Sequence, residues 1–181
     1  MPPVMFSVVT KYHKGRHSLF LYNSEIFYAF TQDILRSHTF VKVRPGSVFS
    51  ECNDVIVPAS GETAEDIARA SHVCISGAVL GGDLNIIKPK INIIDSSFLA
   101  LCISNGQQNK ELIKRAQGKS IVHLHNSDLK QVVLKYPSKR NQSMIARIFD
   151  KTDNLIAANE QVPKLVIKIV KNFLANSLHL N

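Results

Sequence analysis

Apolar runs alternate along the chain with amphipathic stretches, and this rhythm predicts the elements. Residues 4–10, VMFSVVT, are β-branched and apolar and read as a buried first strand. Ile26, Phe27, Phe30, Ile34 and Leu35 then recur at helical spacing behind a capping Ser24. TFVKV (39–43) alternates as a second strand, broken by Arg44-Pro45-Gly46-Ser47. NDVIVP (53–58) is a strand, and ASGETAEDIARAS is a helix with a Thr63–Asp66 capping box. HVCIS (72–76) reads as a strand, VLGGDLNII as a short helix ended by Pro89, and INIID (91–95) as an apolar strand.

Further along, SSFLALCISNG fits strand or helix by periodicity alone. QQNKELIKRAQ is a helix stopped by Gly118, with Lys114 and Arg115 at its negative end. SIVHLH (120–125) is a strand, NSDLKQVVLKYP a helix ended before Pro137, and 138–149 a helix or turn. After a polar link at 150–154, an amphipathic helix of about 160–178 closes the chain, its apolar face (Val166, Ile167, Ile169, Val170, Phe173, Leu174) packed back on the sheet. The strands at 73–76, 91–94 and 121–124 are apolar throughout, as parallel strands covered on both faces are. The expected fold is therefore α/β: one domain over 1–181 with a single doubly wound, Rossmann-like, mostly parallel sheet of about six strands and helices on both faces.

Composition narrows this picture. A chain of 181 residues with 45% hydrophobic content can bury a real core. No apolar run reaches the roughly 18 residues that span a bilayer. The amino-terminal order, apolar before basic, is the reverse of a secretory signal. Cys52, Cys74 and Cys102 form no CxxC and read as buried free thiols in a reducing, cytoplasmic setting. The net charge of +8 favours an anionic partner. The basic residues are scattered, however, and no basic helix with interleaved aromatics, zinc finger or RNP pattern occurs, which disfavours dedicated nucleic-acid binding.

The candidate chemistry centres on Ser76-Gly77-Ala78. In a doubly wound sheet this turn lies beyond a strand's carboxyl end, where free N–H groups at a helix head favour a phosphate. Asp83 then stands where an acid accepts from a ribose diol. The plainer alternative is a structural turn, since neither GxGxxG nor GxxxxGK[ST] is present. Lys14 and Arg16, in the loop after the first strand, would neutralise a phosphate or touch a partner, or simply be solvated. His123 and His125 share a strand face and, with Asp128, suggest an acid/base or metal cluster. No further ligand is spaced nearby, so no metal is expected, and His125 and Asn126 remain as cleft-lining residues. Lys164, Lys168 and Lys171 recur on one helical face, either solvated or resting on the anionic inner face of a membrane.

The order of these segments resembles the carboxyl-terminal lobe of the GT-B glycosyltransferases and UDP-N-acetylglucosamine epimerase. VKVRPGS (41–47), ETAEDIARASHVCIS, SGAVLGGDLNII, KPKINIID, GKSIVHLHNSDLKQVVLKY and ARIFDKTDNLIAANEQVPKLVIKIVKNFL match that lobe's segments in order. The resemblance implies a nucleotide sugar as substrate, with Ser76, Gly77 and Ala78 at its diphosphate, Asp83 at its ribose and Arg44 as a positive charge by the cleft. It implies glycosyl transfer with no obligatory cofactor, and a second lobe or partner chain to complete the site. Gly46 stands where that family has His, and Asp83 where it has Glu. The same stretch also resembles the nicotinamide-pocket turn of folate-linked dehydrogenases, which makes an NAD(P)-binding domain the second reading and a non-catalytic scaffold module the third.

Overall fold

A computed structural model describes the backbone of residues 17–21, 33–34 and 40–178, and the side chains of residues 41–169. The first-strand expectation at 4–10 lies outside these residues, as do Lys14 and Arg16. The strands are β1 (His17–Leu21), β2 (Asp33–Ile34), β3 (Phe40–Lys42), β4 (Val48–Phe49), β5 (Val55–Pro58), β6 (Ser60–Gly61), β7 (Ser71–Val73), β8 (Val79–Leu80), β9 (Leu84–Ile87) and β10 (Val122–His123). The helices are α1 (Ala64–Ile67), α2 (Ser96–Asn105), α3 (Gln107–Arg115), α4 (Asn126–Lys130) and α5 (Lys139–Leu178).

These strands do not make one parallel sheet. They form a sheet of order β3-β1-β8-β4, another of order β2-β7-β5-β9, and a pair, β10-β6. Only β1 with β8 and β2 with β7 run parallel among the described pairings; β5 is antiparallel to both of its neighbours. The doubly wound, Rossmann-like expectation is thus corrected: of the apolar segments it rested on, 91–94 is a turn and Val122–His123 pairs antiparallel with β6. β5 shows why apolar runs mislead here. All four residues of Val55–Pro58 are buried. Val55 and Val57 enter one core with Leu99, Ile103, Leu112 and Leu124, whereas Ile56 enters a second with Val73, Ala78 and Leu80. An apolar run records burial on both faces, not strand direction.

Three further segments differ from expectation. VLGGDLNII is no helix: β8 and β9 belong to different sheets, and Gly81-Gly82-Asp83 is the corner between them. Along β9, Asn85 and Ile87 are buried while Leu84 and Ile86 are half-buried, a period of two. INIID is no strand either. Ile93 and Ile94 donate their N–H groups to Lys90 O in a turn, and Ile91 is 53% exposed. Finally, Asp33–Ile34 is extended where a helix was expected, and SSFLALCISN is the helix α2.

Other expectations match the structure. Thr63 caps α1, its Oγ1 accepting from Asp66 N at 3.1 Å, although that helix ends after Ile67. Arg44-Pro45-Gly46-Ser47 closes on a Ser47 N to Arg44 O bond of 3.0 Å, with Gly46 at φ +91. Proline second and a left-handed glycine third are what a type II turn requires.

The long helix α5 spans 40 residues and contains both the expected polar link and Pro163. Its first turn is fixed to the body by Gln142, which is fully buried. The Gln142 amide accepts from Asp95 N at 2.9 Å and donates to Ile93 O at 3.1 Å and Pro137 O at 2.9 Å. Asp95 in turn caps α2 and accepts from Ser143 Oγ at 2.7 Å.

Candidate nucleic-acid interface

The Ser76-Gly77-Ala78 turn does not head a helix; β8 follows it directly. Its amides are already engaged. Gly77 N donates to Ser50 O at 2.8 Å, and Ala78 N donates to Ser50 Oγ at 3.1 Å. Ser50, itself 2% exposed, donates its hydroxyl to Ile75 O and its N–H to Ala78 O. Ser76 Oγ accepts from Cys52 N at 3.0 Å, and Ala78 is fully buried. A phosphate cradle needs amide donors aimed at solvent. Here Ser50 takes two of them, and the turn ties β4 to β8.

The other predicted residues fall in separate places. Arg44 lies in the exposed turn between β3 and β4. Asp83 accepts from Ser60 Oγ at 2.5 Å, and Ser60 is the register partner of His123 across β6 and β10. Asp83 and the histidine strand therefore meet through Ser60, an association the sequence spacing did not contain. The His123 and His125 rings stack with centroids 6.3 Å apart. His125 precedes α4 and donates its N–H to Asp128 Oδ2 at 2.8 Å, with Asn126 exposed beside it. Asp128 thus serves the helix start. Among the described residues, no group of three or more His, Cys, Asp and Glu is placed to hold a metal ion.

Cys52 is exposed and Cys74 and Cys102 are half-buried, correcting the expectation of three buried thiols; partial burial pushes the Cys102 thiol up to about 11. Between β9 and the 51–54 turn, Lys88 reaches Glu51 at 2.9 Å and Asp54 at 3.2 Å. Burial raises the Asp54 carboxyl above its ordinary value, only partly offset by the Glu51 N–H and Lys88.

A groove with a polar lining lies elsewhere, where α3 faces residues 131–135. A groove of about 570 Å³ is lined by Gln107, Gln108, Glu111, Arg115, Gln131 and Lys135, among others. The chain returns to α3 through a bridge between Gln117 and His123, which exchange N–H···O bonds of 3.0 and 2.8 Å. Gln108 Nε2 donates to Val133 O at 3.1 Å, closing one wall. Arg115 Nη1 donates to Gln131 Oε1 at 2.7 Å, while Arg115 Nε is buried without an acceptor among the described residues. Lys110, Lys114 and Lys130 extend the positive charge on α3 and α4. In the sequence, QQNKELIKRAQ signalled a helix with Lys114 and Arg115 near its end, but nothing there brought residues 131–135 to it.

The second exposed feature is the face of α5. Ile148, Leu155, Val162 and Ile169 fall seven residues apart, and each is more than half exposed, Leu155 reaching 69%. Met144, Lys151, Ala158 and Leu165 occupy the intervening positions of the same heptad; all four are exposed, and Lys151 interrupts the apolar row. The expectation that this face packs back on a sheet is corrected at Val166, Ile167 and Ile169, all exposed. A 3.5-residue apolar spacing is that of a seam for another helix. Among the described residues, no helix is long and apolar enough to cross a membrane.

Solved structures share the overall fold of this chain. The chain is similar to one in a type I restriction-modification system studied for complex assembly and conformational transition. That match has a TM-score of 0.60 and 14% identity, over 88% of this chain and 37% of the other. It is also similar to the HsdS subunit from Thermoanaerobacter tengcongensis, with a TM-score of 0.57 and 14% identity, over 87% of this chain and 40% of that one. The fold is therefore that of type I restriction-modification proteins, and the chain spans less than half the length of either structure. The chain belongs to the type I restriction modification DNA specificity domain family, whose model matches residues 23–167. No curated protein matches the sequence. Family membership overturns the glycosyltransferase-lobe and dehydrogenase readings, and with them the expectation that nucleic acid is disfavoured as a partner.

Proposed function

We propose that this chain is the sequence-reading part of a type I restriction-modification specificity subunit, binding duplex DNA and working within a larger protein assembly. The observation that carries this reading is the family match over residues 23–167. The net charge of +8 supports it, because neutralising phosphates with Lys and Arg supplies the sequence-independent share of DNA affinity. A body of small sheets with a polar, basic groove suits recognition, in which phosphate contacts set register and base-edge contacts select sequence.

The long helix supplies the assembly surface. Its heptad seam at Ile148, Leu155, Val162 and Ile169 suits a second helical seam from the rest of the assembly.

The test is selection from a pool of random duplexes by the full chain at about 0.15 M salt, near the physiological ionic strength. Enrichment of one defined motif is expected. Retention of the pool without any motif would contradict a specificity function.

A further inference from the structure

We infer that the groove between α3 and residues 131–135 is the surface that reads bases, with Gln131 recognising an adenine and Arg115 holding it in position. This inference rests on the DNA-reading function proposed above.

The chemistry follows from the Gln131 amide. Arg115 Nη1 donates to Gln131 Oε1 at 2.7 Å, which occupies one lone pair of that oxygen and fixes the amide plane. A carbonyl oxygen has two lone pairs, so Oε1 keeps acceptor capacity beside the two donors of Nε2. An acceptor next to a donor complements adenine in the major groove, where N7 accepts and the N6 amino group donates. Gln131 is exposed at the groove, whereas Arg115 is half-buried beneath it. The bond also settles which end of the amide is oxygen, because a guanidinium has no acceptor.

The surroundings suit a duplex. Val133 is 72% exposed in the same wall and offers an apolar contact for the thymine methyl group. Lys135 lines the groove and Lys130 lies on the neighbouring α4, both exposed as phosphate contacts require. Gln108 is committed to Val133 O and so holds the wall in place.

Two substitutions at Gln131 separate base reading from a structural role. The random-duplex selection is repeated with the full-length Gln131→Ala, Gln131→Glu and Lys135→Ala variants, after melting curves show that each is folded. Gln131→Ala is expected to relax one adenine position of the motif, lowering discrimination there about tenfold or more. Gln131→Glu keeps a partner for Arg115 but presents acceptors only, and is expected to move that position toward cytosine, whose N4 group donates. Lys135→Ala is expected to keep the motif and reduce the salt dependence of binding by about one phosphate contact. An unchanged motif with both Gln131 variants would overturn the groove as the reading surface while leaving the DNA-reading function standing. Failure of the unaltered chain to select any motif would overturn that function and the groove with it.

Discussion

Asp95 and Gln142 are joined at the point where the long helix leaves the body: the Gln142 amide oxygen accepts the Asp95 N–H at 2.9 Å, with Gln142 fully buried. Gln142 Nε2 also satisfies the carbonyls of Ile93 and Pro137. This buried amide, with the Ser143–Asp95 bond beside it, ties the start of α5 to the segment that leads into α2. Gln142→Ala should leave these groups without partners and cost roughly 3 kcal/mol, the range for breaking a buried hydrogen-bond network. Urea unfolding measures it. A loss under about 0.5 kcal/mol, typical of a surface site, would refute the clamp.

Lys88 makes a pH-dependent prediction. Asp54 has a raised pKa, from burial first, so the folded state holds its proton more tightly than the unfolded state. The stability linked to that proton is present below the unfolded value of 3.8 and is lost as pH rises through the higher folded value. At neutral pH the buried carboxylate depends on Lys88 at 3.2 Å. Lys88→Met should therefore cost about 3 kcal/mol at pH 7 and much less near pH 3, where Asp54 is protonated in both states. Equal losses at the two pH values would show that the ion pair is not the cause.

Gly118 and Gly82 form a matched pair of tests. A Cβ on Gly118 would meet Ile121 O at 1.9 Å, and its φ is +147. A Cβ on Gly82 has nothing within 4 Å. Gly118→Ala should disrupt the return of the chain toward α3 and lower the melting temperature by several degrees, about 1–3 kcal/mol or more. Gly82→Ala should change it little. The reverse order would contradict the described 117–123 bridge.

The seam on α5 predicts association without a change in the body. Leu155→Asp and Val162→Asp place charges at exposed heptad positions and should leave melting of the sheets intact. Sedimentation of the full chain, or of its assembly with a helical partner, should shift toward the lighter species in both variants. Unchanged sedimentation of an assembled state would remove the seam from the interface.

Burial was legible in the sequence more readily than topology. The apolar run Val55–Pro58 announced a buried strand, and Thr63 and Asp66 announced a helix start, because both signals are local. Strand direction was not local: β5 looks parallel by composition and is antiparallel on both sides. Gly81-Gly82 interrupted a segment that periodicity read as a helix, whereas the alternate burial of Leu84–Ile87 is that of a strand. The Ser76 turn showed its small residues but not Ser50, which lies far back in the chain and engages two of its amides. The groove was hidden for the same reason. Arg115 and Gln131 meet only because the 117–123 bridge turns the chain back. The seam was half legible: its carboxyl-terminal apolar residues were evident, but the polar positions at 150–154 masked its continuation toward Met144.

The central claim is that this chain distinguishes one duplex sequence from others. The most direct measurement is equilibrium binding of the full chain to two labelled duplexes, one carrying the selected motif and one with that motif scrambled, across a salt series. Both affinities should fall with salt, with a slope of about −0.9 per neutralised phosphate, while the motif duplex stays on the order of 10³-fold tighter or more. Equal affinity for the two duplexes at every salt concentration would contradict the account, leaving only the attraction of a chain of charge +8 for a polyanion.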